Sequence, residues 1–240
     1  DDLPAACYVL VESVEGRDHI VIYEGDRRID LMGLELIPAT FEGTAKFNVE
    51  NALQAIAVGY LMGVDTAVLV AAMASFAMSF EHTPGRQNIY DALPFRVIMD
   101  YAHNGDGIRK LCAFTDQLKV PGRRILMFGV GGDRQDEEIT QTTLAAVGHF
   151  DHYLCRNYPN PRGREPGEMP RIMSAILVEG GVSQDRITVC EDASEAVDVA
   201  LAMACAGDLL VMTPGLNEME EMWQRIKAGP CAVLQDNSDP

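Results

Sequence analysis

Three short stretches carry the residues able to do chemistry, and each follows an apolar run. Asp100 and His103 follow Val97-Ile98-Met99; Gly131, Gly132, Asp133 and Arg134 follow Ile125-Leu126-Met127-Phe128; Arg156, Asn157, Arg162 and Arg164 follow Tyr153-Leu154-Cys155. Such runs read as buried strands. In a parallel sheet the loops behind them share one edge, where ligands bind. Asp100 with His103 offers a pair able to handle protons. Arginine forks pair bidentately with phosphate or carboxylate. Glu137, Glu138, Glu165 and Glu168 lie close by, so this edge is mixed in sign. A helical pattern begins after His103, and the unpaired amides of a helix start favour an anion. Each group also has a plain reading: Asp100 as a turn cap, His103 as structural, Arg162 and Arg164 as a solvated loop. Gly129 to Arg134 is a poor dinucleotide fingerprint, because Arg134 stands where the third glycine belongs. That argues against a nicotinamide-dependent enzyme.

The elements that must position these residues follow from periodicity. Residues 3–40 read as strands, with Ala6–Val11, His19–Tyr23 and Arg28–Leu31; the last two flank a Gly25-Asp26 turn and form a hairpin. So few strands are expected to complete a sheet whose other strands lie elsewhere. Leu53, Ile56, Ala57, Tyr60 and Leu61 recur at helical spacing, Gly63 ends that helix, and Asp65 or Thr66 caps the next. The loop His82-Thr83-Pro84-Gly85-Arg86 breaks the pattern and marks a domain boundary, with Pro84-Gly85 as a hinge. From there strand and helix alternate. Strands are expected at 96–99, 124–128, 153–155, 187–190 and 209–212, and helices after each, one over about 106–118 and one capped by Ser194. Near-continuous apolar strands alternating with helices specify an α/β fold with a parallel, doubly wound sheet. The tail after Ala228 is expected to fray.

Composition narrows the class. The formal net charge of -17 argues against a nucleic-acid or anionic-membrane binder and tolerates a cationic substrate. No apolar run approaches the ~20 residues of a membrane span, and the Asp1-Asp2-Leu3-Pro4 start lacks the features of a signal peptide. A cytoplasmic protein is expected. The six cysteines show no Cys-x-x-Cys and no spacing suited to zinc, so they read as reduced core residues.

Five pieces, in order, resemble the ATP-dependent Mur ligase superfamily: Asn48-Val49-Glu50-Asn51-Ala52-Leu53, Pro84-Gly85-Arg86, Asp100-Tyr101-Ala102-His103-Asn104, Gly132-Asp133-Arg134, and Arg162-Gly163-Arg164-Glu165-Pro166-Gly167-Glu168. The resemblance covers nearly the whole chain. The last two pieces are most similar to the branch that builds an aspartate–arginine polymer. The resemblance implies that residues 1–83 form the end of a Mur ligase central, ATP-binding domain and residues 84–240 its C-terminal Rossmann-like domain. It implies ATP as cosubstrate with Mg2+, whose ligands are expected mainly upstream. It places Asn48 and Asn51 at the adenine, and Arg86 and Asp100 at the phosphate or ribose. Asp100 and His103 become the catalytic candidates, while Asn104, Asp133, Arg134, Arg162 and Arg164 hold the substrate.

The reaction so implied activates a carboxylate as an acyl phosphate, which an amine attacks to form an amide; in this branch arginine joins the aspartate side chain of a growing polymer. The expected partners are a free amino acid and an Asp/Arg-type peptide polymer, with a homo-oligomer possible for the complete protein. Gly105 replaces the family's usual proline, Gln135 replaces an arginine, and Arg156 to Pro161 stand where a more acidic run is usual. The chain has no Gly-x-x-x-x-Gly-Lys-Ser/Thr phosphate-binding loop. It is therefore expected to be part of a longer ligase, inactive alone. The alternative is a non-catalytic nucleotide- or peptide-binding module of the same ancestry.

Overall fold

The computed structural model describes residues 7–230. The expectations for Asp1–Ala6, Cys231 and the tail from residue 231 onward lie outside the described residues. The chain divides into two compact units, one ending at Met78 and the other starting at Ser79.

In the first unit, β1 (Cys7–Val14), β2 (Arg17–Glu24) and β3 (Arg27–Gly33) pair antiparallel in that order. The Gly25-Asp26 turn joins β2 to β3 as the sequence predicts, and Glu15-Gly16 joins β1 to β2 by a second tight turn. Among the described residues these three strands make a sheet of their own. One face meets α1 (Lys46–Leu61) and α2 (Thr66–Ser75): Ile20, Ile22 and Met32 pack with Val49, Ile56 and Leu69. Asp65 caps α2 by accepting from the Ala67 amide at 2.7 Å.

The second unit is an α/β fold built on a six-stranded sheet. Its strands are β4 (Asn88–Tyr90), β5 (Arg96–Met99), β6 (Arg124–Phe128), β7 (His152–Arg156), β8 (Ile187–Cys190) and β9 (Leu209–Met212), in spatial order β4-β5-β9-β6-β7-β8. The run from β5 to β8 is parallel, as the alternating pattern requires. β4 is an addition that sequence periodicity did not disclose: it pairs antiparallel with β5, Asn88 opposite Met99 and Tyr90 opposite Val97. The helices are α3 (Gly105–Asp116), α4 (Asp136–Leu144), α5 (Glu168–Glu179), α6 (Ala196–Met203) and α7 (Met219–Ala228). The path moves outward from β5 through β8 and returns with β9 into the gap between β5 and β6, so α3, α4 and α5 pack in series while α6 packs with α7. Val97, Met99, Met127, Leu154 and Met212 form a core with Ala200, Met222 and Trp223, and Phe80 stacks on Trp223 at 4.9 Å.

Two local expectations are corrected. Ser194 does not cap α6; its amide and hydroxyl both bond Asp192 Oδ1, and α6 starts two residues later. A short carboxylate turn captures the groups a cap would have used. Cys205 is exposed, whereas Cys112, Cys155 and Cys190 are buried as expected.

Candidate functional site

Asp100 directly follows β5, and the loop before β4 is built around it. Gln87 adopts φ 47°, a left-handed conformation uncommon for a non-glycine residue, and its amide donates to Asp100 Oδ2 at 3.1 Å. Gly85 has φ 68°; a side chain there would strike Met219 and crowd Tyr101, so the turn requires glycine. Asn88, buried, fixes the loop from within: its Oδ1 accepts from the Gly85 amide at 2.7 Å and its Nδ2 donates to the Thr83 carbonyl at 3.0 Å. Gly85 in turn accepts from the Tyr101 amide at 2.7 Å. These bonds bring Arg86 to the carboxyl end of β5, where its guanidinium lies 5.4 Å from the centre of the Tyr101 ring. His103 packs near the same ring at 4.7 Å and its Nδ1 meets the Tyr101 carbonyl at 3.1 Å.

Burial raises the Asp100 pKa to about 6, against the opposing pull of the Gln87 amide and the Arg86 charge. A carboxyl poised there changes protonation close to neutral pH, as proton-handling groups require. No local pattern marks the strained Gln87, Asn88 or the platform role of Tyr101. They are visible only once β4 lies alongside β5.

The other expected residues separate into smaller groups. Asn104 caps α3, its Oδ1 accepting from the Gly107 amide at 2.8 Å. His103, Asn104, Arg109, Arg134 and Glu138 line one small cleft of about 130 Å³. Asp133 lies 3.7 Å from Arg162, and Arg134 lies 3.9 Å from Glu138. Arg164 meets Asp136 at 2.5 Å, Glu168 at 3.1 Å and the Gly132 carbonyl at 3.4 Å. Arg162, at φ 50°, places its guanidinium 5.8 Å from the Tyr158 ring. The loops after β6 and β7 thus meet, as a shared sheet edge predicts.

Arg156 is corrected. It is not an open-loop arginine but the last residue of β7, fully buried, with its guanidinium held by Glu218 at 2.8 and 2.9 Å and by the Thr213 carbonyl at 3.0 Å. Its Nε, together with Asn157 Oδ1 and Thr213 Oγ1, is among the buried polar atoms with no partner. All three sit at carboxyl ends of strands.

Asn48 and Asn51 belong to the first unit. Asn48 is buried on α1 and donates to the Ala39 carbonyl at 2.7 Å; Asn51, one turn later, is exposed. Among the described residues no cluster of three or more His, Cys, Asp or Glu side chains is arranged to hold a metal ion. No helix there is long and apolar enough to cross a membrane.

Strand-end carboxylate, arginine loops and a parallel sheet with an inserted return strand make up the second unit. Residues 85–216 match the Mur ligase, glutamate ligase domain, and the chain belongs to this family. Among its relatives, the cyanophycin synthetase of Geminocystis herdmanii is 31% identical over 198 residues, covering 82% of this chain and 22% of that protein. The cyanophycin synthetase of Trichormus variabilis is 30% identical over 208 residues, covering 85% of this chain and again 22% of the relative. The chain therefore spans about a fifth of the length of the curated relatives it matches. The structure of Escherichia coli FolC with DHPP and ADP shares the fold, with a TM-score of 0.65, 22% identity and coverage of 90% of this chain and 45% of that one.

Proposed function

We propose that this chain is the C-terminal part of an ATP-dependent ligase that joins an amino acid to a carboxylate through an amide bond, as in the cyanophycin synthetases it resembles. In that reading the carboxylate is the aspartate side chain of a growing polymer and the amine is that of arginine. The observation that carries it is the grouping of Arg86, Asp100, Tyr101 and His103 at one strand end, within a region matching the family. The relatives' name gives the reaction class, and the FolC structure contains ADP.

Bound ATP supplies the phosphoryl group that makes the carboxylate reactive. Arg86 holds phosphate charge with its guanidinium, and Asp100 holds the ribose or a proton at Oδ2; His103 stays on the Tyr101 ring beside them. Asn48 and Asn51 take the adenine. Asn104, Asp133, Arg134, Arg162 and Arg164 hold the amino-acid and polymer groups, the arginines by bidentate pairing with carboxylates. The chain lacks the Gly-x-x-x-x-Gly-Lys-Ser/Thr loop. In this reading the chain alone does not turn over; the alternative, a non-catalytic nucleotide- or peptide-binding module, predicts no turnover in the complete protein either.

The test is amide formation from ATP, arginine and an aspartate polymer by the complete protein. Arg86→Ala and Asp100→Asn are each expected to lower kcat/KM at least about a hundredfold, with the circular dichroism spectrum unchanged. Near-normal turnover in both variants rejects the proposal.

A further inference from the structure

Tyr158 stands where three loops at the carboxyl rim of the sheet meet. It lies two residues past β7, and its hydroxyl donates to the Gly129 carbonyl, in the loop after β6, at 2.9 Å. The ring packs beside Gly129 and beside Gly215, which belongs to the loop after β9. The position a β-carbon would take on each lies 3.5 and 3.4 Å from a ring carbon. Arg156, buried and held by Glu218, places its guanidinium 4.9 Å from the ring centre. The ring is thus braced on several sides by backbone and by a cation that is itself fixed.

The segment that follows is stiff. Pro159 and Pro161 fix their own φ, and Asn160 Oδ1 accepts from the Arg162 amide at 2.9 Å. Arg162 and Gly163 then turn through φ 50° and 90°. A stiff loop is placed by its ends. Arg164 ties the far end to Asp136, Glu168 and the Gly132 carbonyl. At the near end Arg162 has a looser ion pair, 3.7 Å from Asp133, and the Tyr158 ring, 5.8 Å from its guanidinium. The two holds differ in kind. A carboxylate that closes on a guanidinium occupies its N–H fork, whereas a ring face attracts the cation through its quadrupole and leaves the fork open.

We propose that Tyr158 is the positioning residue of this loop, holding the Arg162 guanidinium beside the loop after β6 with its N–H groups available to a substrate carboxylate. The hydroxyl fixes the ring on Gly129, and the ring fixes the guanidinium. Assigning the carboxylate to the amino acid or the polymer rests on the proposed function. Without the ring, Asp133 remains as the ion-pair partner of Arg162 and competes with the substrate for it.

Steady-state kinetics of the complete protein with ATP, arginine and an aspartate polymer tests this. Arg162→Ala identifies the substrate whose carboxylate this arginine takes, as the one whose KM rises. Tyr158→Leu, checked for native circular dichroism, is expected to raise that same KM about tenfold, with kcat and the KM for ATP close to native. Tyr158→Phe keeps the ring and drops only the Gly129 bond, so its KM is expected within about threefold of native. In the Arg162→Ala background Tyr158→Leu is expected to add less than about twofold, because Tyr158 acts through the arginine. A rise of equal size in that background, a native KM in Tyr158→Leu, a Phe variant as impaired as the Leu variant, or an unchanged KM in Arg162→Ala overturns the assignment. Hydrogen exchange on the 240-residue chain needs no turnover. The amides of residues 162–164 are expected to exchange at least about tenfold faster in Tyr158→Leu, and native exchange there overturns the assignment as well. A complete protein that forms no amide, with that faster exchange present, rejects the function and keeps the positioning role.

Discussion

The amide of Gln87 donates to Oδ2 of Asp100 at 3.1 Å, from a backbone in the left-handed region. Even with this bond, burial holds the Asp100 carboxyl near pKa 6, so its charged form is disfavoured in the folded chain. Between about pH 4 and pH 6 the folded chain keeps a proton that the unfolded chain has released. Stability from this group is therefore present at low pH and lost as pH rises through 6. Asp100→Asn is expected to stabilise the second unit at pH 7.5 by up to about 3 kcal/mol, a gain that shrinks toward zero near pH 4. Urea denaturation of both proteins across this range checks it; equal stability at pH 7.5 contradicts the account.

Glu218 matters for a different reason. Arg156 is fully buried, and Glu218 is the carboxylate that neutralises it. Glu218→Ala leaves a buried charge without its partner and is expected to cost about 3–5 kcal/mol. Replacing both partners with Arg156→Met and Glu218→Leu is expected to recover most of that loss, because the cost lies in the stranded charge rather than in the missing contact. Denaturant titration of the single and double variants separates the two.

The loops after β6 and β7 touch at Gly132. A β-carbon there would collide with the Pro161 carbonyl and sit 2.6 Å from Arg164 Cγ. Gly132→Ala is expected to displace the 161–164 segment and destabilise the unit by about 1–3 kcal/mol. A thermal melt measures the loss, and faster amide exchange confined to the two loops marks its location.

Thiol reactivity gives a fourth check. Burial pushes Cys112 and Cys155 up to about 12, while Cys205 is exposed. At pH 8 the thiolate fraction of the buried pair is on the order of one in ten thousand. Iodoacetamide on the native chain is expected to modify Cys205 and to spare Cys112 and Cys155 until urea opens the second unit. Mass spectrometry of the peptides reads the order.

The parallel strands were legible because each is a run of apolar and β-branched residues between turn residues, from Val97-Ile98-Met99 to Leu209-Leu210-Val211-Met212. β4 was not, since Asn88-Ile89-Tyr90 is three residues long and carries a polar group that the fold buries. The motif residues could be named from the chain alone, but their neighbours could not. Arg156 reads as a loop cation until its carboxylate partner, 62 residues away, is placed beside it. Asn88 and Gln87 read as filler between a breaker and a strand, although one ties the loop and the other holds Asp100. Such roles depend on long-range pairing, which local pattern does not encode.

The antiparallel sense of β4 has a mechanical consequence. Because Asn88 lies opposite Met99, the polypeptide enters the six-stranded sheet at its carboxyl rim. A parallel first strand would have admitted it at the far rim, about 13 Å away for a strand of four residues. The doorway and the chemistry therefore share one rim, and Arg86 stands in the threshold. A change in the backbone just ahead of β4 therefore acts directly on the strand end that carries Asp100, because Gly85, Arg86 and Gln87 all belong to that short stretch.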